Sequence, residues 1–194
     1  MKLYGTTTSP FVRRVRVVAA ELDEPIERVD TATEVGQATL REVSPIRKVP
    51  VAVVDDDRTL FDSRAIIEWL VGKHGYRGVF LAPRDRWVEA NLVNAVDAAL
   101  DAVIQLFYLR RDGVAIDGTP YAERQLGRAD AIFAWLAPQL APERLGLAEL
   151  SAICALDWMD FRQTYPTAER AAGLAGLRAA WREHPSLVAT RPHA

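Results

Sequence analysis

A single cysteine, Cys154, occurs in the 194 residues. One thiol can form neither an intramolecular disulfide framework nor a Cys-x-x-Cys redox pair. It lies in the apolar run Leu150-Ser151-Ala152-Ile153-Cys154-Ala155-Leu156, where a buried, inert thiol is expected rather than a nucleophile. Histidine is almost as scarce. His74, His184 and His193 fall in expected loops or tails without metal-ligand spacing, so no metal site is expected. Charge of one sign is also missing: 24 Lys and Arg stand against 26 Asp and Glu, a formal net charge of −2. No basic stripe suggests a nucleic-acid partner, and no charge block reads as a tail. The start Met1-Lys2-Leu3-Tyr4-Gly5 lacks the apolar core of a signal peptide, and no run is expected to reach membrane-spanning length, so a soluble cytoplasmic protein without a membrane partner is expected. Internal repeats and low-complexity segments are absent.

What is present is core material. Hydrophobic residues make up 49% and charged residues 26%, a composition that folds rather than stays disordered. The chain exceeds one typical domain and falls short of two large ones. Its halves differ in character: short mixed elements up to about residue 75, then long helices rich in Ala, Leu and Arg from about 84.

In the first half, Lys2-Leu3-Tyr4-Gly5 reads as a strand and Pro10 to about Leu22 as a helix, with Phe11, Val15, Val18 and Leu22 at the helical period. Pro25 to Asp30 alternates as a strand does. Thr33 to Val43 is a weaker helical segment, and Val49 to Val54 a β-branched buried strand. A polar turn at 55–58 leads to a short strand at 59–61, and Asp62-Ser63 opens a helix with Ile66, Ile67, Leu70 and Val71 as its apolar face. The close spacing across 49–61 requires an antiparallel hairpin, while the first strand–helix–strand unit favours a parallel right-handed crossover. A four-stranded mixed sheet with helices on both faces follows, which is a thioredoxin-like α/β domain over 1–75. In the second half, helices are expected over 84–111, about 121–139, 147–161 and 167–183, an all-α domain over 84–194.

Three short stretches carry chemistry. Between the first strand and helix stand Thr6-Thr7-Thr8-Ser9-Pro10-Phe11, four hydroxyls in a row. Ser9 suits the N-cap and Pro10 the first helical position, which puts an alcohol at the positive end of a helix, where a thiolate, phosphate or other anion is stabilised. Lys48-Val49-Pro50 precedes a buried strand, a permitted place for proline. Phe61-Asp62-Ser63 starts the third helix: Ser63 is expected as its N-cap, able to accept a ligand carboxylate there, and Asp62 offers an anion to an ammonium.

In this order and spacing, followed by a wholly helical half, these stretches resemble the cytosolic glutathione S-transferase superfamily along nearly the whole chain. The likeness is greatest to bacterial members with the pattern Thr-Ser-Pro-Phe-Val-Arg, then Lys-Val-Pro, then Phe-Asp-Ser. The resemblance implies an N-terminal thioredoxin-like domain plus an all-α C-terminal domain, and glutathione as cosubstrate. Ser9, with Thr8 as the alternative, would hydrogen-bond the glutathione sulfur and favour its thiolate. Val49 would pair with the cysteinyl backbone of glutathione and Pro50 would be a cis proline. Asp62 and Ser63 would hold the γ-glutamyl amine and carboxylate, and Lys48 the glycyl carboxylate. Phe11, Tyr108 and Arg111 are candidates for the wall of an electrophile pocket. The implied activity is conjugation of the thiolate to small hydrophobic electrophiles, as in detoxification, by a homodimer. Glutathione-dependent thiol or peroxide reduction, or non-catalytic binding, are the alternatives.

One departure is informative. The family starts its sixth helix with Ser or Thr and places Asp three residues on; here the pair is Gly146 and Glu149, with Glu149 expected to reach back to Gly146 N–H. Arg13, Arg14 and Arg16 also stand in the first turns of a helix, against the macrodipole preference. A solvated face is expected for two of them.

Overall fold

The computed structural model describes residues 1–193 and divides into two compact units, one of Met1–Ala82 together with the residues from Glu183 onward, the other of Pro83–Arg182. The expected boundaries of 1–75 and 84–194 differ from this division chiefly at the C-terminal end. There the chain returns to the first unit: the Arg13 guanidinium donates to Leu187 O at 3.1 Å, and His184 Nε2 lies 2.7 Å from Glu21 Oε1.

The first unit opens with β1 (Lys2–Tyr4) and α1 (Pro10–Glu21), followed by β2 (Glu27–Val29), α2 (Glu34–Val43), β3 (Val51–Val53), β4 (Thr59–Leu60) and α3 (Ser63–His74). The sheet order is β2-β1-β3-β4, with β1 parallel to β2 and antiparallel to β3, and β3 antiparallel to β4. This is the expected four-stranded mixed sheet. Neighbouring residues of a strand face opposite sides. Tyr4 and Val51 pack with Leu40 of α2 on one side, while Leu3 and Ala52, also buried, point to the other, so both faces of the sheet are covered. Gly5 is fixed by close approach: a Cβ there would sit 2.4 Å from Val12 Cγ2, so only glycine lets the chain leave β1 directly beneath α1. At the other end of α1, the buried carboxylate of Glu24 takes the Met1 ammonium at 3.1 Å, His74 Nε2 at 2.6 Å and Lys73 Nζ at 3.2 Å. His74 and His184 therefore serve as structural partners at helix ends rather than as loop residues.

The second unit is built on α4 (Arg86–Arg111), which packs against α5 (Pro120–Leu136) and α6 (Leu147–Arg162). At 26 residues α4 is, by length and composition, long and apolar enough to cross a membrane, contrary to the expectation that no run reaches that length. Its buried residues, among them Val93, Val96, Leu100 and Val103, serve the core of this unit. Cys154 is buried in α6, as expected.

The expected last helix over 167–183 is instead α7 (Thr167–Arg170), a 3-10 turn at Ala172–Leu174 and α8 (Ala175–Trp181). Arg178 of α8 bridges Asp157 and Asp160 at 2.8 and 2.7 Å, holding the broken segment to α6. The short α9 (Pro185–Ala189) belongs to the first unit.

The start of α6 meets expectation and adds to it. Glu149 Oε2 accepts Gly146 N–H at 2.9 Å. The cap that glycine cannot provide comes from α4, where Glu89 Oε1 accepts Ala148 N–H at 2.9 Å. A Cβ on Gly146 would lie 2.8 Å from Glu149 Oε2 and 3.0 Å from Glu89 Oε1, so the two carboxylates occupy the space a capping side chain would need.

Candidate functional site

The hydroxyl row lies between β1 and α1, and its members are not equivalent. Ser9 is the N-cap of α1: its backbone is extended (φ −76°, ψ 126°) and its Oγ accepts Val12 N–H at 3.3 Å. That bond uses a lone pair and leaves the O–H proton without an acceptor among the described residues. Thr6 Oγ1 and Thr8 Oγ1 lie 3.3 Å apart and share one hydrogen bond. Thr7 Oγ1 donates to His193 O at 3.0 Å. Of the four alcohols, Ser9 thus combines a helix N-terminus with an uncommitted proton, the arrangement that stabilises an anion placed against it. Thr8 remains the alternative donor, since either threonine can give the proton in its pair.

The Val49-Pro50 bond is cis. The Val49 side chain packs on the Tyr4–Leu40–Val51 cluster, whereas its backbone N–H and C=O have no hydrogen-bond partner among the described residues. A free donor and acceptor on one residue beside a sheet is what an extended peptide needs for pairing. Lys48, the preceding residue, is exposed.

At α3 the expectation needs correction. The N-cap is Asp62 rather than Ser63: Asp62 Oδ1 accepts Arg64 N–H at 2.8 Å from an extended backbone, and the Phe61-Asp62 peptide is cis. Ser63 is the first helical residue, and its hydroxyl turns inward. It accepts from Arg14 Nε at 3.0 Å and Arg14 Nη2 at 2.7 Å, and the residue is fully buried. Ser63 in this structure therefore holds an arginine where an open contact with a ligand carboxylate was expected. Asp62 itself is exposed.

Arg13 and Arg14 correct a second expectation. Both are only 2% exposed, so a solvated face does not account for them. Arg13 is satisfied by Leu187 O and Thr190 Oγ1, Arg14 by Ser63 and, at 5.0 Å, by the Phe11 ring. Arginines clustered in the first turns of a helix, where the dipole disfavours them, were the available signal that specific partners hold these charges.

Ser9, Val49, Pro50, Asp62 and Ser63 all belong to the first unit, at the ends of β1, β3 and β4 and the starts of α1 and α3. In the second unit, Tyr108 is 48% exposed on the last turns of α4, with the Arg111 guanidinium 4.7 Å from its ring centre. Arg111 also binds Asp112 at 2.8 Å, and that hydrogen bond raises its pKa. Nearby, Phe107 meets Trp158 edge-on at 5.5 Å, and Arg162 lies over Phe107.

Comparison with known proteins identifies the family. The family described as "Glutathione S-transferase, N-terminal domain" matches residues 3–78. Glutathione S-transferase 4 of Zea mays is 30% identical over 166 residues, covering 78% of this chain and 74% of its own. Glutathione S-transferase GstB of Escherichia coli K12 is 28% identical over 152 residues, covering 72% and 70%. Among solved structures, a glutathione transferase family member from Pseudomonas fluorescens Pf-5, with bound glutathione, superposes with a TM-score of 0.85 at 26% identity, over 100% of this chain and 99% of that one. With its thioredoxin-like first unit, its helical second unit and these relatives, the chain belongs to the glutathione S-transferase family.

Proposed function

We propose that this protein is a glutathione transferase in which Ser9 activates the thiol of bound glutathione for attack on small hydrophobic electrophiles. The observation that carries the reading is the uncommitted Ser9 O–H at the N-terminus of α1. A thiolate held there receives one hydrogen bond and the partial positive charge of the helix end, both of which lower a thiol pKa toward neutrality. The thiolate is the nucleophile: its sulfur lone pair forms the new bond to carbon, and the leaving group departs with the displaced electron pair.

The unpartnered backbone of Val49 supports pairing with the cysteinyl residue of glutathione, and Lys48 is available to the glycyl carboxylate. The exposed Asp62 suits the γ-glutamyl ammonium, with the matching carboxylate drawn to the first turn of α3. Phe11, Tyr108 and Arg111 are assigned to recognition of the electrophile, and a cytoplasmic homodimer completes the reading.

Retention on immobilised glutathione followed by an assay with a chloronitroaromatic acceptor tests it. Retention with conjugation is expected. Retention without conjugation would favour reduction or simple binding, and absence of retention would overturn the reading. Size-exclusion chromatography checks the dimer.

A further inference from the structure

Resting on the conjugation reading above, we propose that the acceptor substrate is an aromatic electrophile bearing a carboxylate, and that Arg162 selects for that charge. Arg162 is the last residue of α6, and its guanidinium lies over two rings, Phe107 of α4 at 5.2 Å and Phe161 at 4.9 Å. Its Nε is buried without a hydrogen-bond partner, and no carboxylate or carbonyl of the described residues accepts from the guanidinium. Ring faces attract the positive charge but supply none of the oxygens that the planar fork matches. A charged donor left buried and unmet is costly, so the position calls for an acceptor from outside the chain. The carboxylates around the two helix ends are already taken. Asp157 and Asp160 bind Arg178 at 2.8 and 2.7 Å, Asp112 binds Arg111 at 2.8 Å, and Asp117 binds Arg110 at 2.6 Å. Nor does Arg162 cap its own helix, because backbone N–H groups of Gln163 and Thr164 close the carbonyls of Asp160 and Met159.

The surroundings define the rest of the ligand. Phe107 meets Trp158 edge-on at 5.5 Å and Tyr108 at 5.4 Å, and Tyr108 is 48% exposed. Phe107, Phe161 and Arg162 each keep partial exposure. A flat ring laid on these aromatics gains stacking, and a carboxylate on that ring gives the guanidinium a two-bond contact. A neutral electrophile leaves the arginine unmet, whereas the acid satisfies it, and a site discriminates most sharply through a polar group that is otherwise unpaired. The carboxylate takes no part in the bond changes. The glutathione sulfur lone pair forms the new bond to ring carbon, and a halide leaves with the electron pair of the bond that breaks.

The test pairs 4-chloro-3,5-dinitrobenzoate with its neutral amide as acceptors for glutathione. The chlorine-free 3,5-dinitrobenzoate and its amide serve as unreactive ligands in isothermal titration calorimetry. The wild type should bind the benzoate roughly 10- to 100-fold more tightly than the amide, the range for a hydrogen bond to a charged group. Values of kcat/KM for the two chloro compounds, each divided by its uncatalysed rate, should show a preference of the same sign. In Arg162→Met both preferences should collapse. Arg162→Lys should keep part of them, since lysine supplies the charge without the fork. Circular dichroism checks folding; should Arg162→Met fail to fold, Arg162→Lys decides with the same ligands. Equal binding of acid and amide by the wild type, a preference preserved in Arg162→Met, or one lost only in Arg111→Gln would overturn the proposal. A wild type that prefers the benzoate in binding yet conjugates neither chloro compound would overturn the glutathione reading instead, and leave the carboxylate contact of Arg162 standing.

Discussion

At the scale of the residue, Ser9 has two roles that one substitution removes together. As an N-cap it supports α1, and its loss should cost about 1 kcal/mol of stability. As the proposed donor to sulfur it should matter far more to rate: Ser9→Ala is expected to lower kcat at neutral pH by roughly 10²-fold, as for loss of one preorganised donor. Thr8→Ala should change kcat by much less, because Thr8 shares its hydrogen bond with Thr6. Steady-state kinetics on the two variants, with thermal melts alongside, separate the roles. The inverse result, with Thr8 dominant, would move the assignment one residue. The Ser-Pro step was legible in the sequence because capping chemistry is local. The inward turn of Ser63 was not, because it depends on a guanidinium from a helix 49 residues away in the chain.

At the scale of the element, α6 begins with a cap shared among three residues. Glycine at 146 is intrinsically an adequate cap and serine a better one, yet serine should not help here, because its Cβ would displace the two carboxylates that bind Gly146 N–H and Ala148 N–H. Gly146→Ser should therefore destabilise the protein by about 1 kcal/mol, the worth of a lost cap. In a Glu89→Ala background the same change should cost less, because only the Glu149 carboxylate is then displaced. This difference is a coupling that a double-mutant cycle on thermal denaturation measures directly. The proximity of Glu89 carries a cost as well. Burial first, and the Glu89 charge in addition, push the Glu149 carboxyl up, against the backbone N–H bonds and Arg144 that draw it down. Its contribution to stability is then full below the ordinary carboxylate pKa and is lost as pH rises through the raised value. Glu149→Gln, which keeps an acceptor for Gly146 N–H, should flatten this loss in melts recorded between acid and neutral pH. Glu149 reaching back to Gly146 was predictable from their spacing. Glu89 was not, since a cap supplied from another helix leaves no local pattern.

At the scale of the whole molecule, order and spacing of weak signals were enough to read the architecture. The 49–61 hairpin and the first crossover fix the sheet order, and the shift to long Ala- and Leu-rich helices marks the second unit. The return of the chain from Glu183 onward was hidden, because its anchors are the side chains of Arg13 and Glu21 in the first helix. Acid stability should reflect Glu24. Burial would raise its carboxyl, but hydrogen bonds from His74, the Met1 ammonium and Lys73 outweigh this and hold it below the usual carboxylate range. Its stabilisation is complete above the ordinary carboxylate pKa and is lost as pH falls through the depressed value. Glu24→Gln should cost on the order of 3 kcal/mol at neutral pH, as breaking a buried ion pair does, and should reduce the slope of stability against pH in the acid limb. The central claim is that this unit lowers the thiol pKa of bound glutathione through Ser9. A pH titration of the ultraviolet thiolate absorption of the glutathione complex, wild type against Ser9→Ala, tests it most directly. The account predicts a bound thiol titrating well below the ordinary value of about 8.5, and a return toward that value in the variant. A bound thiol that titrates as a free one in the wild type, or a lowered value unchanged by Ser9→Ala, would contradict it.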